Sequence, residues 1–230
     1  LIDVLYHVVR YFSLRRKVKL VATFKADTAT LLDVGAGTGY FTRAAKKGGW
    51  VAKGIEPNST ARGLANDKSY NSVFSEKMLN SFPTASFDVI TLWHVLEHLP
   101  NLDKDIKTFK KLLKPNGRII VAVPNFKSYD AGHFKKFWAA YDVPRHLWHF
   151  SKESIPKVFS RVQMSLESTH PMLMDAYYVS MLSNKHKTGS HKVFSSLCTG
   201  FLSNLKALKT GEYSSLIYVL KNNSWRSKAL

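Results

Sequence analysis

The fold is decided by residues 31–40, Leu31-Leu32-Asp33-Val34-Gly35-Ala36-Gly37-Thr38-Gly39-Tyr40. The apolar side chains of Leu31, Leu32 and Val34 predict a buried parallel strand. Three glycines at alternate positions then predict a tight turn that leads into a helix near Thr38. Such a loop lets a ligand lie against the backbone, and the carboxylate of Asp33 can accept a cationic or donor group from that ligand.

The spacing of the glycines indicates which class of ligand binds at this junction of strand, loop and helix. A dinucleotide-binding loop would place its third glycine at position 40, where this chain has Tyr40. A phosphate-binding P-loop would continue with Gly-Lys-Ser or Gly-Lys-Thr, and neither follows. The remaining pattern, D-x-G-x-G-x-G, suits a ligand that carries an ammonium group beside a carboxylate.

Two further segments extend this pattern. Glu56 closes a predicted strand, Val51–Ile55, and follows Asp33 by 23 residues. That step is close to the roughly 20 residues that place a carboxylate within reach of ribose hydroxyls. Phe87–Trp93 predicts another buried strand, which leads into His94-Val95-Leu96-Glu97-His98.

In these segments the sequence resembles class I S-adenosylmethionine-dependent methyltransferases, most clearly over residues 30–150, and in particular a bacterial subgroup that includes quinone-biosynthesis O-methyltransferases. The resemblance implies a Rossmann-like α/β fold, a three-layer sandwich with a seven-stranded, mostly parallel sheet whose last strand is antiparallel. It also implies methyl transfer from S-adenosylmethionine, with S-adenosylhomocysteine as product. The cofactor-binding residues that it implies are Asp33, Gly35, Ala36, Gly37, Gly39 and Tyr40 at the methionine part, Glu56 and Pro57 at the ribose, Glu76 at the adenine, and Trp93 and His94 after the fourth strand.

The segment after the fourth strand also bears on metal binding. Some quinone O-methylating relatives are thought to hold a divalent metal with a Glu and, three residues on, a Glu-His pair. Glu97 and His98 match that pair, but His94 replaces the first acid, so we assign no metal ligand. A helix here would place His94 and His98 on one face.

Residues 125–163 interrupt the alternation of strands and helices and are rich in aromatic and imidazole side chains. Open parallel sheets bind ligands beyond the carboxyl ends of their strands, so we expect this substrate-side insertion to overhang the reactive methyl group. Tyr141, Arg145 and Trp148 are the predicted acceptor contacts. Deprotonation of a phenol or enol oxygen needs a base that titrates near neutrality, and His146 and His149 are the predicted catalytic residues.

The composition of the chain indicates its domain organisation and the kind of molecule that it binds. The chain has 230 residues, 45% of them hydrophobic, which predicts one methyltransferase domain over residues 1–230, with a leading amphipathic helix in residues 1–24. The net charge of +18 favours an anionic partner. We expect a small-molecule acceptor, anionic or lipid-like, that is methylated at oxygen. An RNA-associated methyltransferase or a nucleic-acid-binding module is the alternative that this charge leaves open.

Cysteine content and hydropathy indicate where in the cell the protein is expected. The single cysteine, Cys198, excludes an internal disulfide and a cysteine-cluster zinc site. No run of 18 apolar residues occurs, which predicts no membrane span. The expected location is the cytoplasm. Peripheral contact with an anionic membrane, through the basic residues 1–19, is left open.

Overall fold

In the computed structural model, the glycine-rich loop joins a central strand to the helix that follows it. The structure describes residues 2–25, 29–69 and 71–223, without the side chains of residues 2–9, 68 and 69. The α-helices of this part are α1 (Ile2–Ala22), α2 (Tyr40–Lys47), α3 (Ser59–Ser69), α4 (Leu102–Leu112), α5 (Tyr129–Phe134), α6 (Ser154–Ser160), α7 (Asp175–Thr188) and α8 (Val193–Thr210). The strands are β1 (Thr30–Val34), β2 (Val51–Ile55), β3 (Val73–Phe74), β4 (Phe87–Trp93), β5 (Leu113–Pro124), β6 (Met164–Pro171) and β7 (Ser215–Asn222).

The seven strands form one sheet in the order β3-β2-β1-β4-β5-β7-β6. The first five strands pair in parallel, whereas β7 runs antiparallel to both β5 and β6. Because the order reverses between β1 and β4, their carboxyl ends border the crevice where open α/β sheets bind ligands. The predicted fold, including the antiparallel last strand, is confirmed.

Helices cover both faces of this sheet. Successive strand residues point to opposite faces, so Leu32 packs into one apolar cluster and Leu31 into the other. The second cluster also takes Leu14 and Val18 from α1. The leading helix therefore packs on the sheet beside the glycine-rich loop. Much of the apolar face predicted for this segment falls on residues 1–9, whose side chains lie outside the described part of the structure.

Between β6 and β7 the chain inserts a helical hairpin, α7 and α8, which packs against α5 and against the turn at Ala139–Tyr141. This hairpin lies at the same edge as the carboxyl ends of the parallel strands, because His94 after β4 contacts Asp175 at its start. Within the described residues, no helix has the length and apolar character needed to cross a bilayer.

Candidate active site

The carboxyl ends of β1 and β4 border a small pocket of about 190 Å³. Asp33, Gly35 and Ala36 line it from the glycine-rich loop, and Trp93 lines it from the end of β4. The pocket therefore lies at the reversal point of the strand order, where the sequence predicted the cofactor. Its remaining walls are Arg10, Ser13, Leu14 and Lys17 from α1, and Thr38, Tyr40 and Phe41.

The backbone of the glycine-rich loop explains its residue types. Gly35, Gly37 and Gly39 have φ angles of 70°, 53° and 75°, in the left-handed region that favours glycine. A Cβ on Gly35 would lie 2.3 Å from Val95, and one on Gly39 would lie 2.9 Å from Ala65, so these two positions are packed. A Cβ on Gly37 would project into open space, which leaves room for a ligand beside the loop.

Glu56 ties β2 to this loop. Its buried carboxylate accepts hydrogen bonds from the backbone N–H of Gly37 (2.8 Å) and of Asn58 (2.9 Å). Each carboxylate oxygen has a second lone pair, so the group can still accept from the two hydroxyls of a ribose. The guanidinium of Arg62 donates to the carbonyls of Glu56 and Pro57, which fixes the chain after β2.

Asp33 lies beneath the pocket rather than in its open volume. Its carboxylate is 1% exposed and accepts hydrogen bonds from the hydroxyls of Thr42 and Thr91, both at 2.9 Å. Burial raises its pKa to about 6, although these hydrogen bonds and the ammonium of Lys17 oppose the rise. A buried carboxylate whose hydrogen bonds go to the protein acts on a bound cation mainly through its electric field, and not through direct contact.

Lys17 brings a cation from α1 to the same place. Its ammonium lies 4.6 Å from the centre of the Trp93 ring and is stabilised by the charges of Asp175 and Asp33. Burial outweighs both carboxylates and lowers the pKa of Lys17. No pattern in the sequence predicts this role, because a lysine in a basic helix is usually solvated.

A second cavity of about 700 Å³ adjoins the first. Arg10, Ser13 and Lys17 line both, so α1 forms a shared wall. Most of the other lining side chains are apolar or aromatic and come from the turn at Ala139–Tyr141, from α7 and from the residues that precede it. They include Ala139, Ala140, Met172, Met174, Tyr177, Tyr178, Val179, Met181 and Leu182.

His94 is held between two carboxylates in this cavity. Its Nδ1 lies 3.4 Å from Glu97, and its Nε2 lies 3.2 Å from Asp175. Burial disfavours the charged ring, but its pairing with the carboxylates of Asp175 and Glu97 outweighs burial and raises the pKa of His94 to about 9. The ring is therefore an imidazolium at neutral pH. Asp175 in turn is half-buried, which disfavours its charge, but His94, Ser215 and Lys17 outweigh this effect and lower its pKa.

His94 and His98 do not share a helical face, and that prediction is wrong. His94 has a φ of 57°, and only a single 3₁₀ turn, Leu96–His98, follows. The positive φ turns the ring of His94 toward Asp175, whereas the ring of His98 packs against His146, with 4.6 Å between ring centres.

His146 lines the cavity as a neutral base. Its Nδ1–H donates to the carbonyl of Ala140 at 2.8 Å, which leaves the Nε2 lone pair as the acceptor. Burial is the largest influence and lowers the pKa of His146, although Ala140 and Glu97 oppose it. Glu97 faces His94 as an ion pair, but its two buried carboxylate oxygens accept no hydrogen bond from the part of the chain that the structure describes. Among the described residues, ligand atoms of Glu97, His98 and His146 lie within 4.8 Å of one another, but this is only three groups, one of them exposed, and we assign no metal here.

Several predicted residues lie elsewhere. His149 donates to the carbonyl of Tyr141 and lines a separate surface cleft beside α4. Trp148 donates to the carbonyl of Leu99 and lines the same cleft. Tyr141 packs edge-on against Trp138, and the exposed Arg145 pairs with Asp142 at 2.7 Å. Glu76 is exposed beyond β3, with no contact to the pocket.

The residues at the pocket fit S-adenosylmethionine. The open side of Gly37 accommodates a ligand against the backbone, Glu56 can accept hydrogen bonds from ribose hydroxyls, and the electric field of Asp33 favours the cationic sulfonium and ammonium groups.

Solved structures share this fold. A solved S-adenosylmethionine-dependent methyltransferase from Archaeoglobus fulgidus superposes over 93% of this chain and 94% of its own, with a TM-score of 0.62 at 19% identity. The magnesium protoporphyrin IX methyltransferase from Synechocystis PCC 6803, solved with bound S-adenosylhomocysteine, covers 94% of this chain and 84% of its own, with a TM-score of 0.62 at 15% identity. At these identities the likeness shows the fold, and fold and pocket together define a class I S-adenosylmethionine-dependent methyltransferase domain.

Sequence comparison agrees and names the family. Residues 7–169 match the family described as methyltransferase domain, and the chain belongs to it. The ubiquinone biosynthesis O-methyltransferase of Pseudomonas paraeruginosa is 33% identical over 106 residues, which are 42% of this chain and 44% of that protein. The protein of the same name from Methylococcus capsulatus is 28% identical over 140 residues, 56% of this chain and 59% of that protein. The chain thus spans about half the length of these curated relatives.

Proposed function

We propose that this chain transfers a methyl group from S-adenosylmethionine to an oxygen atom of a small, largely apolar acceptor. The observation that carries the proposal is the 700 Å³ cavity, which shares a wall with the pocket at the glycine-rich loop. An acceptor bound in that cavity would therefore lie next to the cofactor site. The names of the curated relatives support oxygen as the methylated atom. No feature of this cavity and none of these comparisons favours the nucleic-acid alternative.

The polar groups of the cavity support a hydroxyl as the reacting group. Bound S-adenosylmethionine would supply a methyl carbon on a positively charged sulfur. Nε2 of His146 takes the proton of the acceptor hydroxyl, so that the oxygen would be free to accept that methyl group. Glu97 accepts a hydrogen bond from a second donor on the acceptor, because no described residue donates a hydrogen bond to its buried oxygens. The charged ring of His94 lies 3.4 Å from this carboxylate and holds it in place.

The cations of α1 fit the same chemistry. Lys17 lines both cavities, so its ammonium can stabilise either the carboxylate of the methionine part or negative charge that develops on the acceptor oxygen. Closure by α1 and α7 also keeps water from the reacting atoms. Tyr177, Met174 and Met181 hold the apolar part of the acceptor by packing.

Cofactor binding is tested first. We expect Glu56→Ala to weaken S-adenosylhomocysteine binding by at least about tenfold, because two charge-assisted hydrogen bonds of about 1.5–3 kcal/mol each are lost. Isothermal titration calorimetry measures the change, and Glu76→Ala, at an exposed acid beyond β3, is the matched control. Equal affinities of Glu56→Ala and the unchanged protein would contradict the ribose assignment.

The base is tested with labelled methyl groups. Incubation with methyl-labelled S-adenosylmethionine and a panel of phenols that includes catechol should give an O-methylated product. His146→Gln should lower kcat by about 10²–10⁴-fold, with S-adenosylhomocysteine affinity unchanged. His149→Gln is the control, because that ring lies outside the cavity. Equal losses in both variants, or label on nitrogen or carbon only, would count against the proposal.

A further inference from the structure

Helix α8 exposes its large apolar residues and buries its small ones. Phe194, Leu197, Phe201, Leu205 and Leu208 follow one another at steps of three and four residues and are 40–82% exposed. These five residues are called here the apolar α8 face. Contiguous apolar surface of this kind marks a place of interaction.

The contacts on the opposite side of α8 fix this orientation. Gly200 packs so closely on Tyr177 that a Cβ there would lie 2.6 Å from the ring. Ser203 donates to the buried carboxylate of Asp130 at 2.7 Å, and Asn184 donates to Ser196 at 2.8 Å. Because small residues make these contacts, the helix cannot rotate its large apolar side chains inward.

The charge around this face is of one sign. From residue 176 to residue 211 the sequence contains no Asp or Glu, and it contains five lysines and two histidines. Lys185 and Lys187 lie in the last turn of α7, Lys192 directly precedes α8, and Lys209 lies in the last turn of α8. Exposed apolar side chains flanked by lysines complement a surface that is apolar inside and anionic outside.

The apolar α8 face is continuous with the acceptor cavity. Leu197 belongs to the face and also lines the cavity, and the neighbouring Tyr178 is 42% exposed while it lines the same cavity. An apolar molecule that leaves a bilayer beside α8 would thus meet the cavity without crossing a polar surface.

We propose that the apolar α8 face docks on the surface of a lipid bilayer that contains anionic headgroups, and that it takes a lipid-soluble acceptor from that surface. The acceptor part rests on the proposed function, whereas the docking part does not. The membrane contact then lies on the helical hairpin between β6 and β7. It differs from the contact through residues 1–19 that the sequence left open.

Vesicle sedimentation tests the docking. The full chain should sediment with phosphatidylcholine vesicles that contain phosphatidylglycerol, and much less with phosphatidylcholine alone. The triple variant Phe194→Ser/Phe201→Ser/Leu208→Ser should lose at least about tenfold in partitioning. Its matched control, Val51→Ser/Leu64→Ser, changes exposed apolar residues elsewhere and should bind as the unchanged protein does.

Charge variants test the electrostatic part. Lys185→Gln/Lys187→Gln/Lys192→Gln should reduce binding to the anionic vesicles, whereas Arg15→Gln/Arg16→Gln/Lys19→Gln, which removes three charges from α1, should reduce it less. A larger effect of the α1 variant would overturn the assignment to α8. So would equal vesicle binding by the serine triple variant and the unchanged protein.

Two further measurements separate the outcomes. S-adenosylhomocysteine affinity by calorimetry should be the same in the serine triple variant and the unchanged protein, which shows that the variant is folded. If the unchanged protein binds the vesicles but does not bind S-adenosylhomocysteine, the proposed function is refuted and the docking proposal stands. Light scattering that shows a dimer, converted to a monomer by the triple variant without a change in vesicle binding, would assign the face to a second copy of the chain and overturn the proposal.

Discussion

Asp33 shows how a buried charge serves a cofactor at the expense of stability. Among the described residues its carboxylate has two hydroxyl donors and one opposing cation, Lys17, and its pKa is raised to about 6. The folded protein therefore holds the proton on Asp33 more tightly than the unfolded chain does. At neutral pH the carboxylate is ionised and opposes folding.

Replacement of Asp33 by Asn should accordingly stabilise the fold and weaken the cofactor. At pH 7 we expect Asp33→Asn to raise the free energy of unfolding by about 1–3 kcal/mol, and the gain should disappear as the pH falls through about 4. S-adenosylhomocysteine affinity should fall by at least about tenfold. Urea unfolding at both pH values and calorimetry measure the two effects. A variant less stable than the unchanged protein at pH 7 would contradict this account.

His94 has the opposite dependence on pH. Its pKa rises from 6.5 to about 9 on folding, so its pairing with Asp175 and Glu97 stabilises the fold fully below pH 6.5 and loses this effect as the pH rises through 9. We expect the stability difference between the unchanged protein and His94→Asn to shrink by about 1–2 kcal/mol over that window, with partial exposure of the ring taken into account. Asn tolerates the positive φ of this position. A difference that is constant from pH 6 to pH 10, measured by urea unfolding, would exclude the ion-paired ring.

At the scale of elements, Asp130 joins the parts that build the acceptor side. This fully buried residue of α5 accepts hydrogen bonds from Ser203 of α8, from Ser214 just before β7, and from the indole of Trp138. Asp130→Ala would leave three buried donors unsatisfied and should cost about 3–5 kcal/mol of unfolding free energy. Ser128→Ala, which removes only a helix cap, should cost about 1 kcal/mol. Comparable losses in the two variants, measured by urea unfolding, would show that Asp130 does not join these elements.

The same elements show which parts of the site the sequence could predict. The loop after β1, Glu56 after β2 and Trp93 at the end of β4 carry local signals, because strand, turn and acid follow one another within a few residues. The acceptor cavity has no such signal: Asp175 meets His94 across some 80 residues of chain. Aromatic density predicted Tyr141 and Trp148 as acceptor contacts, but large rings also satisfy packing and hydrogen bonds away from the cavity.

At the scale of the whole molecule, α1 connects the two halves of the site. Arg10, Ser13 and Lys17 line both the pocket at the glycine-rich loop and the acceptor cavity, while Leu14 and Val18 pack on the sheet. A ligand in the pocket would therefore contact α1 on one side and the glycine-rich loop on the other. Binding should therefore stabilise α1 in its place against the pocket.

Hydrogen exchange measures this coupling. Saturating S-adenosylhomocysteine, at about 100 times its Kd, should stabilise the protein by about 2.7 kcal/mol and slow amide exchange in residues 10–22 as well as in residues 35–39. Lys17→Met should reduce the protection of residues 10–22, because it removes the cation that faces Asp33 and Asp175. Lys19→Met, at an exposed position on the same helix, is the control. Protection confined to the glycine-rich loop, with α1 exchanging at the same rate in both states, would mean that α1 is only a packed helix and that the acceptor cavity is closed by α7 alone.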